Sequence, residues 1–228
     1  LLIAHIVIFV ECSRNPKSIF KAARGLTHRG IRGLANNTLL TIIATFSGLL
    51  LGLEGIESIQ NILGVPTGTL LTMDPIVSLT FLSYAAIAEE IGFRLGVIGI
   101  AAFILLISSG AGTNAIKALW NPQKYLKELQ TDINYKYTMK VMWVMIVVSA
   151  LLFGGAHIIY GGGWEIGKVT LATIAGLVLG WIYVRNGLPG AILLHWSFNY
   201  FNALYRYLGE ITSFQFFSSI TYNLTLIS

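Results

Sequence analysis

Few residues in this chain are suited to chemistry, and most of them lie where charge is costly. Glu89, Glu90 and Arg94 fall inside an apolar run that starts near Ile76 and reaches about Ser108. Ionisable groups at such depth cost on the order of 2.5–3.5 kcal/mol each on the insertion scale and mark function by default. Glu90 and Arg94 are four residues apart, so on a helix they share a face and can pair. Glu89 is rotated by about 100° from Glu90 and need not share that partner. The pattern is one carboxylate neutralised by Arg94 and one left free to act.

The chain has four histidines, His5, His28, His157 and His195. His157 and His195 lie in apolar segments. His157 follows Gly154 and Gly155, which let neighbouring helices approach closely. His195 and Asn199 are four apart and point the same way. Two donors on one face suit a developing negative charge; the alternative is polar glue between helices. Peptide hydrolysis needs a nucleophile, a base and an oxyanion stabiliser. No serine has an obvious His or Lys partner, and the single cysteine, Cys12, has none. Glu89 with His157 would orient and deprotonate a water, His195 and Asn199 would donate to the oxyanion, and Glu90 with Arg94 would lock the helix. A metal is the competing reading, with Glu89, His157 and His195 as zinc ligands. The His-Glu-x-x-His cue of helical zinc proteases is absent, and the expectation is therefore no cofactor. A purely structural polar network is a further alternative. A proton-coupled carrier is another, weakened by the lack of internal repeats.

These residues need helices to position them. Of 228 residues, 55% are hydrophobic and 11% charged, against about 25% charged in a typical soluble domain. Mean hydropathy is +0.72. The chain reads as one integral-membrane domain over 1–228, all-α, a polytopic transmembrane bundle around a polar cavity. The net charge of +5 is clustered in a way that bears on topology, not on nucleic acid. Its partners are membrane lipid and a protein or peptide substrate.

Leu1–Val10 resembles the end of a membrane helix, with something N-terminal to it not covered. Further spans are Thr38–Leu53, Ile76–Ser108, Met142–Tyr160, Val169–Val184, Ala191–Tyr207 and Phe214–Ile227, giving about seven to eight membrane helices with the first incomplete. Ile76–Ser108 would be roughly 50 Å long as one helix, so it must tilt, project or break, and Gly92, Gly96 and Gly99 offer places to bend. Residues 13–33 carry six basic residues and no acid, which reads as a cytoplasmic segment, either on the anionic leaflet or a solvated loop. The stretch from Glu54 to Asp74 has no Lys or Arg and reads as the outer side. A lysine-rich insertion at about 110–140 reads as cytoplasmic, with short surface helices at Ala115–Trp120 and Tyr125–Leu129 separated by a turn at Asn121-Pro122.

Depth is the difficulty. If its helix starts at Met142, His157 lies about 22 Å along it, while His195 lies only ~6–8 Å into its own helix from the opposite side. Convergence requires an offset: a His157 helix running from about Val144 to Gly162, or an incomplete crossing by Val169–Val184.

Glu89-Glu90-x-x-x-Arg94, Phe153-x-x-x-His157 and His195-x-x-x-Asn199, in that order and each on an apolar helix, resemble the three motifs of the CPBP family of intramembrane proteases. That family includes the Rce1-type CAAX prenyl proteases and relatives named abortive-infection or bacteriocin-immunity proteins. The resemblance spans Ser83 to about Tyr205. It implies that Glu89 and His157 activate water, that His195 and Asn199 stabilise the oxyanion, and that Glu90 and Arg94 support them. It also implies a prenylated C-terminal tail as substrate, shortened by three residues, with the prenyl chain in the bilayer. Many relatives are described as metalloproteases; the glutamate–water mechanism fits these residues better. The alternative is a non-enzymatic immunity or scaffold protein that retains the motifs. The 62 residues between Arg94 and His157 depart from the family pattern through the insertion at 110–140, read as a lid, a partner surface or a tolerated loop.

Overall fold

The computed structural model describes residues 1–13, 37–68, 74–127, 132–159 and 162–210. Among them the elements are helical: α1 Leu2–Ser13, α2 Thr38–Ile62, α3 Pro75–Ser108, α4 Gly112–Trp120, α5 Pro122–Leu126, α6 Asp132–Ile159 and α7 Ile166–Glu210. Four stretches are long and apolar enough to cross a membrane: α2, α3, Tyr135–Ile159 of α6 and Ile166–Leu204 of α7. Their outward faces carry exposed Ile43, Leu51, Ile104, Trp143 and Leu151, the arrangement a helix needs in hydrocarbon, where its backbone is satisfied internally. The fold is thus a polytopic helical membrane bundle. The expected span Phe214–Ile227 and nearly all of the basic segment 13–33 lie outside the described residues.

α3 starts at a well-made cap. The Asp74 carboxylate accepts from Ile76 N at 2.9 Å and Val77 N at 3.3 Å, and Pro75 occupies the first helical position. The helix then runs without a break to Ser108. The glycines do not open a hinge. Instead Glu90–Gly99 adopts a π-helical register before α geometry resumes at Ile100, a rare widening associated with functional sites. Buried Ser149 of α6 donates to the Phe93 carbonyl at 2.7 Å and ties the widened stretch to its neighbour. Gly99 packs so closely on Tyr183 that an added Cβ would overlap the phenol oxygen.

α7 contains the expected turn. At Gly187 the backbone has φ 82° and ψ 177°, a conformation open to glycine because it lacks Cβ. Two residues on, Pro189 cannot donate to a continuous ladder. A Cβ on Gly190 would lie 3.4 Å from Ile182 Cγ2. Eight residues of straight helix would separate these positions by about 12 Å, so the chain folds back here. Residues 166–186 and 188–210 match the two expected helices around the 186–190 turn.

The region at 110–140 differs from a loose polar insertion. α4 and α5 form on either side of Asn121, which caps α5 through Lys124 N at 3.4 Å. However, Ala115, Ala118 and Leu126 are fully buried, and the Tyr183 hydroxyl donates to the Leu119 carbonyl at 2.7 Å. The two short helices are therefore part of the core. Residues 132–140 are already helical, because α6 begins at Asp132. Their lysines obscured this start: Lys136 and Lys140 are exposed while Thr138 is buried. α6 thus starts earlier than Met142, not later as the depth problem suggested.

Gly99→Ala is expected to destabilise the protein by about 1–3 kcal/mol through overpacking, read as a lowered unfolding temperature in detergent. Gly92→Ala has nothing within 4 Å of the new methyl and should leave the unfolding temperature nearly unchanged. Equal shifts in the two variants would contradict the packing.

Candidate active site

Three helices supply the site. On α3, Glu90 and Arg94 are completely buried and their side chains meet as an ion pair, with Arg94 Nε 3.2 Å from Glu90 Oε2. The guanidinium lies over the Phe153 ring of α6, 4.3 Å from its centroid. Its two terminal nitrogens meet no acceptor among the described residues, so the ring's face and the nearby carboxylate carry the compensation for burying this charge. Glu90 has a second partner. Its Oε1 accepts from His195 Nδ1 on α7 at 2.8 Å.

His195 is thereby oriented. With Nδ1 turned to Glu90, its Nε2 points toward Glu89 Oε2, 3.5 Å away. The Glu89 side chain is 34% exposed, whereas that of Glu90 is 0% exposed. Adjacent carboxylates thus have different roles in packing. One is locked in the core and the other faces open space, as the helical offset of about 100° requires.

That space is a cavity of about 590 Å³. Glu89, His157, His195 and Asn199 all line it. His157 sits near the end of α6, and its Nδ1–H donates to the Phe153 carbonyl at 2.8 Å. The other ring nitrogen then carries the lone pair. Phe153 packs edge-on against both histidines, with ring centroids 4.8 Å from His157 and 5.8 Å from His195. Asn199 donates to the Leu82 carbonyl of α3 through a long bond of 3.4 Å. Glu89 meets His195 Nε2 directly, and Glu89 and His157 line the same cavity without a direct hydrogen bond between them. The depth conflict is resolved by the length of the cavity, which reaches from Leu179 and Leu194 to Glu57, Gly68, Trp164 and Lys168 at the α2 and α7 ends.

Among the described residues no three His, Cys, Asp or Glu side chains gather as metal ligands. His195 has turned both nitrogens toward carboxylates, and Phe153 packs against both it and His157.

Several lining residues had no signal strong enough to single them out. Glu54 and Glu57 read as outer-side charge, and Lys168 as the edge of a span, yet all three line the cavity. No described residue of 110–140 lines it.

Arg94→Met leaves Glu90 in the core without its cation and should cost about 3–5 kcal/mol. Glu89→Gln, nearly isosteric and partly exposed, should cost less than about 1 kcal/mol. Chemical unfolding of both variants in detergent checks the split, and a destabilised Glu89→Gln would contradict the distinction between the two carboxylates.

A family model for type II CAAX prenyl endopeptidases, Rce1-like, matches residues 71–201. The match covers more than half of the chain, from the cap of α3 through the α7 segment that carries His195 and Asn199. No curated protein and no solved structure matches the chain. The buried Glu90–Arg94 pair, the half-buried Glu89 and the cavity histidines lie within the matched stretch, and the chain belongs to the Rce1-like type II CAAX prenyl endopeptidase family.

Proposed function

We propose that this membrane protein hydrolyses a peptide bond in the cavity with a water activated by Glu89 and His157, and without a metal. The observation that carries this reading is the fixed unit Glu90–His195–Glu89: a buried carboxylate orients an imidazole against a second carboxylate that faces open space. A water in the cavity offers two hydrogens. Glu89 accepts one, and the His157 nitrogen left free by the Phe153 bond accepts the other. The oxygen lone pair then attacks the substrate carbonyl carbon while Glu89 takes the proton. With an imidazolium between the two carboxylates, His195 carries a proton on each ring nitrogen; the developing oxyanion receives hydrogen bonds from its Nε2–H and from the Asn199 amide, which gives up its weak bond to Leu82. As the tetrahedral intermediate collapses, the proton held by Glu89 passes to the leaving nitrogen. The products are a new carboxyl terminus and a free amine.

The family implies a lipid-modified substrate, and an apolar groove supports that. It measures about 560 Å³, is lined by Gly48, Gly52, Trp143, Ile174 and Trp181 among others, and shares Leu49 and Leu53 with the catalytic cavity. A lipid chain in this groove would hold the attached peptide at the cavity. We place the lysine-rich end, with Lys117, Lys124 and Lys127, on the cytoplasmic side. The cavity extends toward the other end, near Glu57 and Lys168, so the substrate's peptide would be presented from that face.

Cleavage of a farnesylated CAAX peptide by purified protein in detergent tests the chemistry without regard to sidedness. Glu89→Gln should lose about 10²–10⁴-fold in turnover, the scale of a general base. Asn199→Ala should lose about 10²–10³-fold, the scale of an oxyanion donor. His157→Ala should also fall sharply, and chelators should have no effect. Gly52→Leu, whose new side chain has free space at its Cβ, should fill the groove and raise KM for the farnesylated peptide more than for its unmodified counterpart. Full activity in Glu89→Gln, or loss of activity with chelator, would contradict the mechanism.

A further inference from the structure

We propose that Lys168 is a specificity residue that binds the free C-terminal carboxylate of the substrate. This rests on the endopeptidase reading above.

Lys168 is the one lysine or arginine among the cavity's described lining residues. Arg94 is sealed beneath the cavity wall and pairs with Glu90. His195 is held between two carboxylates. Lys168 is different: its ammonium rests on the Trp164 ring, 3.9 Å from the centroid, and no carboxylate pairs with it among the described residues. Such a contact positions an ammonium while leaving its three N–H donors available. Glu54 and Glu57 also line this cavity, and a lysine that met them directly would be neutralised. Glu57 and Glu89 act on the ammonium through space, and neither forms an ion pair with it among the described residues.

The platform beneath Lys168 is rigid. Trp164 bridges to Gly68, Glu165 N donates to the Thr67 carbonyl at 3.0 Å, and Gly167 N donates to the Pro66 carbonyl at 2.8 Å. Gln60 donates to the Gly167 carbonyl at 3.1 Å. Gly68 has φ 72°, and an added Cβ would collide with the Gly163 carbonyl. The loop after α2 and the start of α7 are thus stitched together around the cation. A held cation costs less to engage than a mobile one.

A wall of rings links Lys168 to the reacting groups. The steps are Trp164 to His157 at 6.5 Å, His157 to Phe153 at 4.8 Å, and Phe153 to His195 at 5.8 Å. Three residues of extended chain span roughly 10 Å and would run along this wall. A scissile bond at Glu89 would then put the substrate's terminal carboxylate near Lys168. The cation would count three residues from the chain end and so select the cleavage position.

The test is binding to the cleavage-deficient Glu89→Gln protein, measured by calorimetry in detergent. The probes are one farnesylated peptide ending in a free acid and the same peptide ending in a carboxamide. The acid should bind about tenfold or more tightly, the scale of a hydrogen bond to a charged group. Adding Lys168→Gln should erase the difference, and adding Lys168→Arg should retain most of it. Equal binding of acid and amide, or a preference that survives Lys168→Gln, would overturn the proposal. Turnover of the acid peptide by the unsubstituted protein tests the endopeptidase reading separately.

Discussion

The buried pair between Glu90 and Arg94 is the interaction on which the rest of the site depends. Two charges with no exposure cost several kcal/mol each to remove from water. Their mutual attraction does not cover that cost alone, because the contact at 3.2 Å is a single approach. Phe153 supplies its face to the guanidinium and His195 supplies a hydrogen bond to the other carboxylate oxygen. Four residues from three helices are therefore bound into one unit. Breaking any contact leaves a buried charge under-compensated, so α3, α6 and α7 are held in a single register at this depth. Glu89, next in sequence to Glu90, is aimed at the cavity as a consequence.

The irregular backbone serves the same register. The π-helical stretch begins at Glu90 and carries Arg94 in its middle. Its widened turn is fixed from outside by Ser149 on the Phe93 carbonyl. The fold-back at Gly187 brings His195 and Asn199 to face α3, while the first half of α7 brings Lys168 to the far end of the same cavity. The turn itself is secured by close contact with α4 and α5, since a Cβ on Gly187 would lie 2.6 Å from the Trp120 carbonyl. The short helices after α3 thus act on the site from a distance, by fixing where α7 reverses.

Much of this was legible in the sequence because it follows from local spacing. The four-residue interval from Glu90 to Arg94 and the angular offset of Glu89 anticipate the carboxylate that pairs with Arg94 and the one turned away from it. The Asn186–Gly190 turn announced itself through glycine and proline. What was not legible depends on contacts between helices. Nothing in the spacing says that His195 would lie beside Glu89, or that Phe153 would pack against both histidines. The π register left no mark beyond three glycines, which suggested a hinge. The start of α6 was hidden by Lys136 and Lys140, which look like loop but lie on an exposed face. Lys168 looked like the boundary of a span, and only the stitched loops around it place it in the cavity.

The central claim is that Glu89 and His157 handle the attacking water while His195 and Asn199 receive the oxyanion. The most direct measurement is an experimental structure with a peptide analogue whose scissile carbonyl is replaced by a tetrahedral, hydroxyl-bearing centre, prepared with no chelator added. The account predicts one oxygen position of that centre bonded to Glu89 and His157, the other near His195 Nε2 and Asn199 Nδ2, and no metal density between them. A metal bridging the analogue to the histidines, or an analogue bound away from Glu89, would contradict it.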